Sequence, residues 1–182
     1  MQHSICYLTV NKTLSAMIEQ LIKLVEQNSG EAIVKNDAIP NKFNSAAIED
    51  VAQQIFSGLQ NNVSQGNMQQ VISMFNGGNA NSLANNPMVS QVINNIATNF
   101  ANKFGVSPQI ARSIAASLIP QVMNQLVNKT NNPNDKDFDL QDMMRGFSGN
   151  SNLDIGDILG KVTGNSSQGG LGNVLGNILG GK

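Results

Sequence analysis

The stretch NPMVSQVINNIATNFANKFG, residues 86–105, decides the fold. Its larger apolar residues recur with the three- and four-residue spacing of one helix face: Val89, Val92, Ile93, Ile96, Phe100 and Phe104. Asn86 is a natural N-cap, Pro87 stands at the first helical position, and Gly105 offers a left-handed stop. Burial of each larger side chain is worth about 1.5–3 kcal/mol, so we expect this helix to anchor the core.

The same kind of pattern predicts four further helices on either side of this one. They cover residues from about 14 to 28, from 44 or 45 to 66, from 68 to 78, and from 108 to 129. Pro120 lies inside the last of them and predicts a kink, because an interior proline removes a backbone hydrogen bond. Ile, Leu, Val, Met and Ala supply the core, since aromatic residues are scarce. We therefore expect an all-α fold, a bundle of about five helices.

Charged residues are missing from most of this predicted bundle. None lies between Asp50 and Lys103, and residues 51–134 contain only Lys103, Arg112 and Lys129. The chain instead has 27 Asn and 15 Gln. We interpret these amides as replacements for charges on solvated helix faces rather than as a prion-like assembly segment, because they follow a helical period. The formal net charge of −1 gives no electrostatic argument for binding nucleic acid.

The residue types that carry most catalysis and metal binding are equally scarce. The single His and the single Cys, His3 and Cys6, lie in the first six residues. The acidic run at 135–139 resembles the start of a calcium loop, but Leu140 and Gly146 stand where that loop needs Gly and a bidentate Glu. We expect no catalytic, cofactor-binding or metal-binding residues, and no enzymatic activity.

Residues 1–16 lack a helical period, and Met17 opens a strongly amphipathic segment. We therefore expect residues 1–16 to be disordered or an upstream extension. The predicted organisation is this segment, a helical bundle domain over 17–131, and a Gly-rich repeat tail over 132–182. The sequence contains no run of about 18 apolar residues, which a membrane-spanning helix would need. The N-terminus is also a poor secretory signal, so we expect a cytoplasmic protein.

The tail contains a repeat. FDLQDMMRGFSGN (138–150) aligns with LDIGDILGKVTGN (153–165) at an offset of fifteen, and GLGNVLGNILGG (170–181) follows at sixteen. Each copy predicts an amphipathic helix of one or two turns, too short to be stable alone, and the many glycines predict flexible joints. We expect the first copy to dock on the bundle and the third to be mobile or to face a partner. The candidate interaction residues are Met143, Met144, Phe147, Ile158, Leu159, Leu171, Leu175 and Ile178.

The stretch MIEQLIKLVEQNSGEAIVKNDAIPN (17–41), with the helix AIEDVAQQIFSGL (47–59) behind it, resembles bacterial proteins of the YidB-like family of unknown function. The resemblance runs from Met17 into the tail repeats. It implies an all-helical bacterial protein with no assigned reaction, and it provides no functional residues to carry over. It also makes Met17 look like the ordinary start of the chain.

These features favour a non-enzymatic interaction or assembly module. Its tail copies would dock into an apolar groove of the same chain, of a second copy, or of an unidentified protein partner. The alternative is a peripheral membrane protein that uses the amphipathic tail repeats. Membrane contact is less favoured because the polar positions of the repeats hold Asp and Asn rather than Lys and Arg.

Overall fold

The structure, a computed structural model, describes residues 3–77, 80–132, 134–135 and 137–149, with side chains described from Ser15 onward except at 77–81. All regular secondary structure in these residues is helical. The α-helices are α1 (His3–Asn28), α2 (Asn44–Ser64), α3 (Met68–Gly77), α4 (Ala80–Ala84), α5 (Pro87–Phe104), α6 (Pro108–Thr130) and α7 (Leu140–Ser148). A π-helical turn, Gly30–Val34, and a 3₁₀ turn, Asn41–Phe43, connect α1 to α2. The predicted all-α class is confirmed.

Helix α5 is central, and its predicted bounds are confirmed. The Asn86 side chain accepts a hydrogen bond from the Met88 amide at 2.9 Å, and Gly105 ends the helix with φ +69°. Its apolar stripe packs along α6 and against α2, with Ile96 and Phe100 fully buried. Since each cap satisfies backbone groups that the helix leaves unpaired, local sequence is enough to fix where α5 starts and stops.

Helix α6 continues through Pro120 from Pro108 to Thr130. Ser107 caps its start, with its hydroxyl accepting a hydrogen bond from the Ile110 amide at 3.4 Å. Buried apolar residues lie on both sides of the proline: Ala111, Ile114, Ala115, Leu118, Ile119, Val122, Met123, Leu126 and Val127. Because Pro120 has no N–H group, one backbone hydrogen bond of α6 is missing. The packing of these buried residues against α5 and α1 keeps α6 a single helix at this point.

Helix α1 starts earlier than the sequence pattern predicts. It begins at His3, whereas the apolar period begins near Leu14. Once a helix is nucleated, each added residue gains a backbone hydrogen bond, so it extends through residues that have no apolar period. The backbone is helical from His3 onward, and the expectation that residues 1–16 are disordered or an upstream extension stays a prediction.

Two α-helices add to the predicted five. The short α4 was not predicted, and α7 corresponds to the first tail copy. Helix α7 packs against α1 and α2, and its apolar residues join the same core cluster as α5 and α6. The packed unit therefore extends beyond the boundary that we predicted at 131–132. The second and third tail copies lie outside the described residues.

Asp50 and Lys103, which bound the charge-free stretch, pair with each other. Lys103 Nζ donates to Asp50 Oδ1 at 2.8 Å, joining α2 to the last turn of α5. The Asp50 side chain is 8% exposed and that of Lys103 is 53% exposed. Among the described residues, nothing donates a hydrogen bond to the other oxygen of Asp50. Lys103 thus neutralises the buried carboxylate and also complements the negative end of α5.

Amide side chains make further links between helices. Asn28 on α1 and Gln125 on α6 exchange two hydrogen bonds, of 3.0 and 2.9 Å. Asn131, directly after α6, donates to the Phe75 carbonyl of α3 at 2.6 Å. Some of the abundant amides thus join helices instead of facing solvent, a role that the sequence pattern did not indicate.

Candidate functional site

Helix α7 is defined by its own cap. The Asp139 carboxylate accepts hydrogen bonds from the amides of Gln141 at 2.8 Å and Asp142 at 3.1 Å. Gly149, with φ +66°, ends the helix. The carboxylate of Asp142 lies in the first turn, where the helix dipole favours negative charge. The prediction that the first tail copy forms a short helix is confirmed.

The apolar face of α7 is buried against the bundle. Met143, Met144 and Phe147 all belong to the core, and the ring of Phe147 lies 5.2 Å from that of Phe56 on α2, tilted by 53°. Phe138, just before the helix, is also buried. The expectation that the first tail copy docks on the bundle is confirmed. Three of the candidate interaction residues, Met143, Met144 and Phe147, are therefore already buried within the chain.

Gly146 allows α7 to approach α1 closely. A Cβ atom at this position would lie 2.8 Å from Sδ and 3.3 Å from Cε of Met17. Any other residue would require the Met17 side chain to move. We call the surface of α1 and α2 around Met17 and Phe56 the α7 docking surface.

The linker between α6 and α7 is fixed to the end of α6. Lys129 Nζ donates to Asp135 Oδ2 at 2.9 Å and lies over the Phe138 ring, 5.6 Å from its centroid. The hydrogen bond from Lys129 lowers the pKa of the Asp135 carboxyl below its ordinary value. Thr130 Oγ1 also lies 3.6 Å from Met143 Sδ. Together these contacts determine how the chain enters α7.

A second surface lies between the π-helical turn and the N-terminal half of α6. This groove, of about 350 Å³, is lined by Glu31, Ala32 and Asn36 on one side and by residues of α6 on the other, among them Ile110, Ser113 and Ile114. Ile110, which lines the groove, is 41% exposed, whereas Val34 on the turn is 44% exposed but does not line the groove. We call this surface the π-turn groove.

Sequence reasoning missed this groove. The turn is fixed by the Ile33 and Val34 amides, which donate to the Ser29 carbonyl at 2.8 and 3.1 Å. Ile33 and Ser29 are fully buried, which places the turn against the bundle. π-helical segments are frequent at functional sites.

The other candidate interaction residues, Ile158, Leu159, Leu171, Leu175 and Ile178, lie outside the described residues. Within the described part, no three His, Cys, Asp or Glu side chains are grouped closely enough to hold a metal ion. The helices described there include none with both the length and the apolar content needed to cross a bilayer.

The fold and this site define a small all-helical protein whose first tail helix is docked on its own bundle. A family model of bacterial proteins of unknown function, DUF937, matches residues 86–182, slightly more than half of the chain. The chain belongs to this family, which includes YidB. The family predicted from resemblance is thus confirmed, although the matched region begins at α5 and lies beyond the stretch that suggested it. No curated protein and no solved structure matches the chain.

Proposed function

We propose that the protein is a non-enzymatic, cytoplasmic interaction or assembly module whose tail helices dock on apolar surfaces of helical bundles. The docked α7 is the observation that carries this proposal. A helix of nine residues is too short to be stable by itself, so its order comes from the surface that it covers. Here that surface is provided by α1 and α2.

The apolar sequence pattern of α7 occurs twice more in the tail. In the second copy, Asp154 occupies the cap position, and Ile158 and Leu159 occupy the positions of the two methionines. The third copy has Val174 and Leu175 in the same places. Since the first copy fills the α7 docking surface, we propose that the other two copies dock as helices on other surfaces. We propose a protein surface or a second copy of the chain as the partner.

The proposal is tested by comparing the full chain with a chain that ends at Gly149. This truncation keeps α7, whereas removal of the whole tail from residue 132 would uncover the core around Phe56. A third protein, the full chain with Leu159→Asp and Leu175→Asp, keeps the length but loses two apolar side chains. We expect self-association, or retention of a defined protein partner, only in the unmodified full chain.

Sedimentation velocity measures self-association, and a pull-down from the natural host measures partner retention. Equal thermal midpoints for the three proteins would show that the bundle is intact in each. Identical behaviour of all three in both assays would contradict the proposal. Binding of the full chain to anionic vesicles, with no protein partner retained, would favour the peripheral membrane alternative instead.

A further inference from the structure

We infer that Met17, Met143 and Met144 form an oxidation-sensitive switch, which releases α7 from the α7 docking surface when their thioethers become sulfoxides. The inference goes beyond the proposed function and does not depend on it, because it concerns only α7 and the bundle of the same chain. Three observations carry it: the position of these thioethers, the close approach of α7 to α1, and the short length of α7.

Three of the eight methionines of the chain lie where α7 contacts the bundle. Met143 and Met144 lie on the buried face of α7 and are 4% and 0% exposed. Met17 lies on α1 against Gly146 of α7, and it is partly buried on the core. A thioether is apolar and packs well in such a place, whereas a sulfoxide is polar and disrupts contacts that are rich in methionine.

The contact leaves little space for an added oxygen atom. A Cβ atom at Gly146 would lie 2.8 Å from the Met17 sulfur, so the backbone of α7 approaches this sulfur closely. An oxygen atom bonded to the sulfur either takes up this space or makes the Met17 side chain turn away from α7. In both cases the packing of α7 on α1 is weakened.

The two methionines of α7 itself differ in their surroundings. Met144 is fully buried in the apolar core cluster, so docking would bury the oxygen of its sulfoxide away from water. Met143 has a polar neighbour, since Thr130 Oγ1 lies 3.6 Å from its sulfur. We therefore expect a sulfoxide at Met144 to oppose docking more strongly than one at Met143.

Undocking of α7 gives an oxidant access to these buried sulfur atoms. Helix α7 has nine residues and is held by packing on α1 and α2, so its undocking costs less free energy than unfolding of the bundle. Met123 lies in the middle of α6 and is 2% exposed, so the bundle itself must open before an oxidant reaches it. Met144 should therefore react sooner than Met123, although it is the less exposed of the two in the docked state.

The chemistry needs a two-electron oxidant such as hydrogen peroxide. A lone pair of the thioether sulfur attacks one peroxide oxygen, and the S–O bond forms as the O–O bond breaks. The second oxygen leaves as hydroxide and takes the proton of the transferred oxygen, which gives the sulfoxide and water. The sulfur is oxidised by two electrons and the peroxide is reduced. A methionine sulfoxide reductase reverses the change with a dithiol, which becomes a disulfide while the oxygen leaves as water.

The first test follows the oxidation of each methionine when the full chain is treated with hydrogen peroxide. Peptide mass spectrometry measures the rate at which each side chain gains one oxygen atom. Met143 and Met144 should react about tenfold faster than Met123, or more, because local undocking is more frequent than opening of the bundle. Equal rates for Met144 and Met123 would overturn the inference, since α7 would then open only together with the bundle.

The second test measures whether the sulfoxides release α7. In the oxidised chain, the amide of Phe147 should exchange with solvent roughly 10- to 100-fold faster than in the untreated chain, because burial of an unpaired polar group opposes docking by about that factor. The amide of Ile96, in α5, should be unchanged. Unchanged exchange at Phe147, in a chain whose Met144 has become the sulfoxide, would overturn the inference.

Leucine substitutions provide the matched control, because leucine is close to methionine in volume and has no sulfur to oxidise. A chain with Met17→Leu, Met143→Leu and Met144→Leu should keep slow exchange at Phe147 in peroxide. A chain with Met68→Leu, at a partly buried position of α3, should lose protection as the wild type does. Equal loss of protection in both variants would place the cause of release at another site and overturn the inference.

Reversal of the oxidation completes the experiment. Treatment of the oxidised wild type with a methionine sulfoxide reductase and a dithiol should restore slow exchange at Phe147. Protection that stays lost after the sulfoxides have been reduced would show irreversible damage instead of a switch, and the inference would be wrong.

Discussion

Replacement of Phe147 by valine gives the first tail copy the residue that the second copy carries as Val162. Phe147 is 2% exposed, and its ring lies 5.2 Å from that of Phe56. The substitution keeps the Asp139 cap and the two methionines of α7, and it removes only the aromatic contact. We expect α7 to dock much more weakly.

The expected magnitude follows from the buried surface. Loss of about four buried carbon atoms, at about 0.8 kcal/mol each, amounts to about 3 kcal/mol. Loss of the tilted aromatic pair with Phe56 adds about 0.5–1.5 kcal/mol. A total of about 3.5–4.5 kcal/mol corresponds to a change of roughly 400- to 2,000-fold in the docking equilibrium. The loss of stability cannot exceed the free energy of docking itself, because residue 147 makes no contact with the bundle once α7 is undocked.

Hydrogen exchange measures the docking equilibrium directly. The protection of the Met144 and Phe147 amides from exchange should fall by that factor. If the free energy of docking is smaller than the loss caused by the substitution, their protection should disappear completely. Urea unfolding should show a matching decrease in global stability. Gln141→Ala, also on α7, keeps the apolar face and should change little. If the two substitutions have equal effects on exchange, the claim that Phe147 holds α7 on the bundle is refuted.

Three further predictions concern stability. Lys103→Ala should cost about 1–3 kcal/mol because it leaves the buried Asp50 carboxylate unpaired, and adding Asp50→Ala should recover part of that loss in urea unfolding. Ile96→Ala should cost about 2–5 kcal/mol through the cavity that it leaves, whereas Asn95→Ala, at an exposed position, should be nearly neutral. Equal unfolding midpoints for the two variants would show that the assignment of buried and exposed faces of α5 is wrong. The lowered pKa of Asp135 means that its ion pair contributes stability above the ordinary value of 3.8, and that this contribution is lost as pH falls through the lowered pKa. The stability difference between the wild type and Asp135→Asn should therefore shrink between about pH 7 and about pH 2, and a constant difference would contradict this assignment.

Much of the fold could be predicted because its signals are local. The start of α5 depends on Asn86 and Pro87, and its end on Gly105, all within a turn of the boundary that they set. The first tail copy was recognisable for the same reason, since Asp139 and the apolar positions behind it repeat further along the chain. Helix α1 shows the limit of this reasoning. An apolar period marks where a helix packs, and it does not mark where its backbone hydrogen bonds begin.

The sequence by itself determined the all-α class, most helix boundaries, the family and the apolar face of the first tail copy, because caps and periodicity act between neighbouring residues. Only the tertiary structure decided which distant groups meet. It placed Phe147 against Phe56, joined Lys103 to Asp50 across the charge-free stretch, and set the π-helical turn beside α6. Such contacts depend on how helices cross and on which side chains fill the space between them. That packing is a property of the whole core, and no single segment of the sequence encodes it.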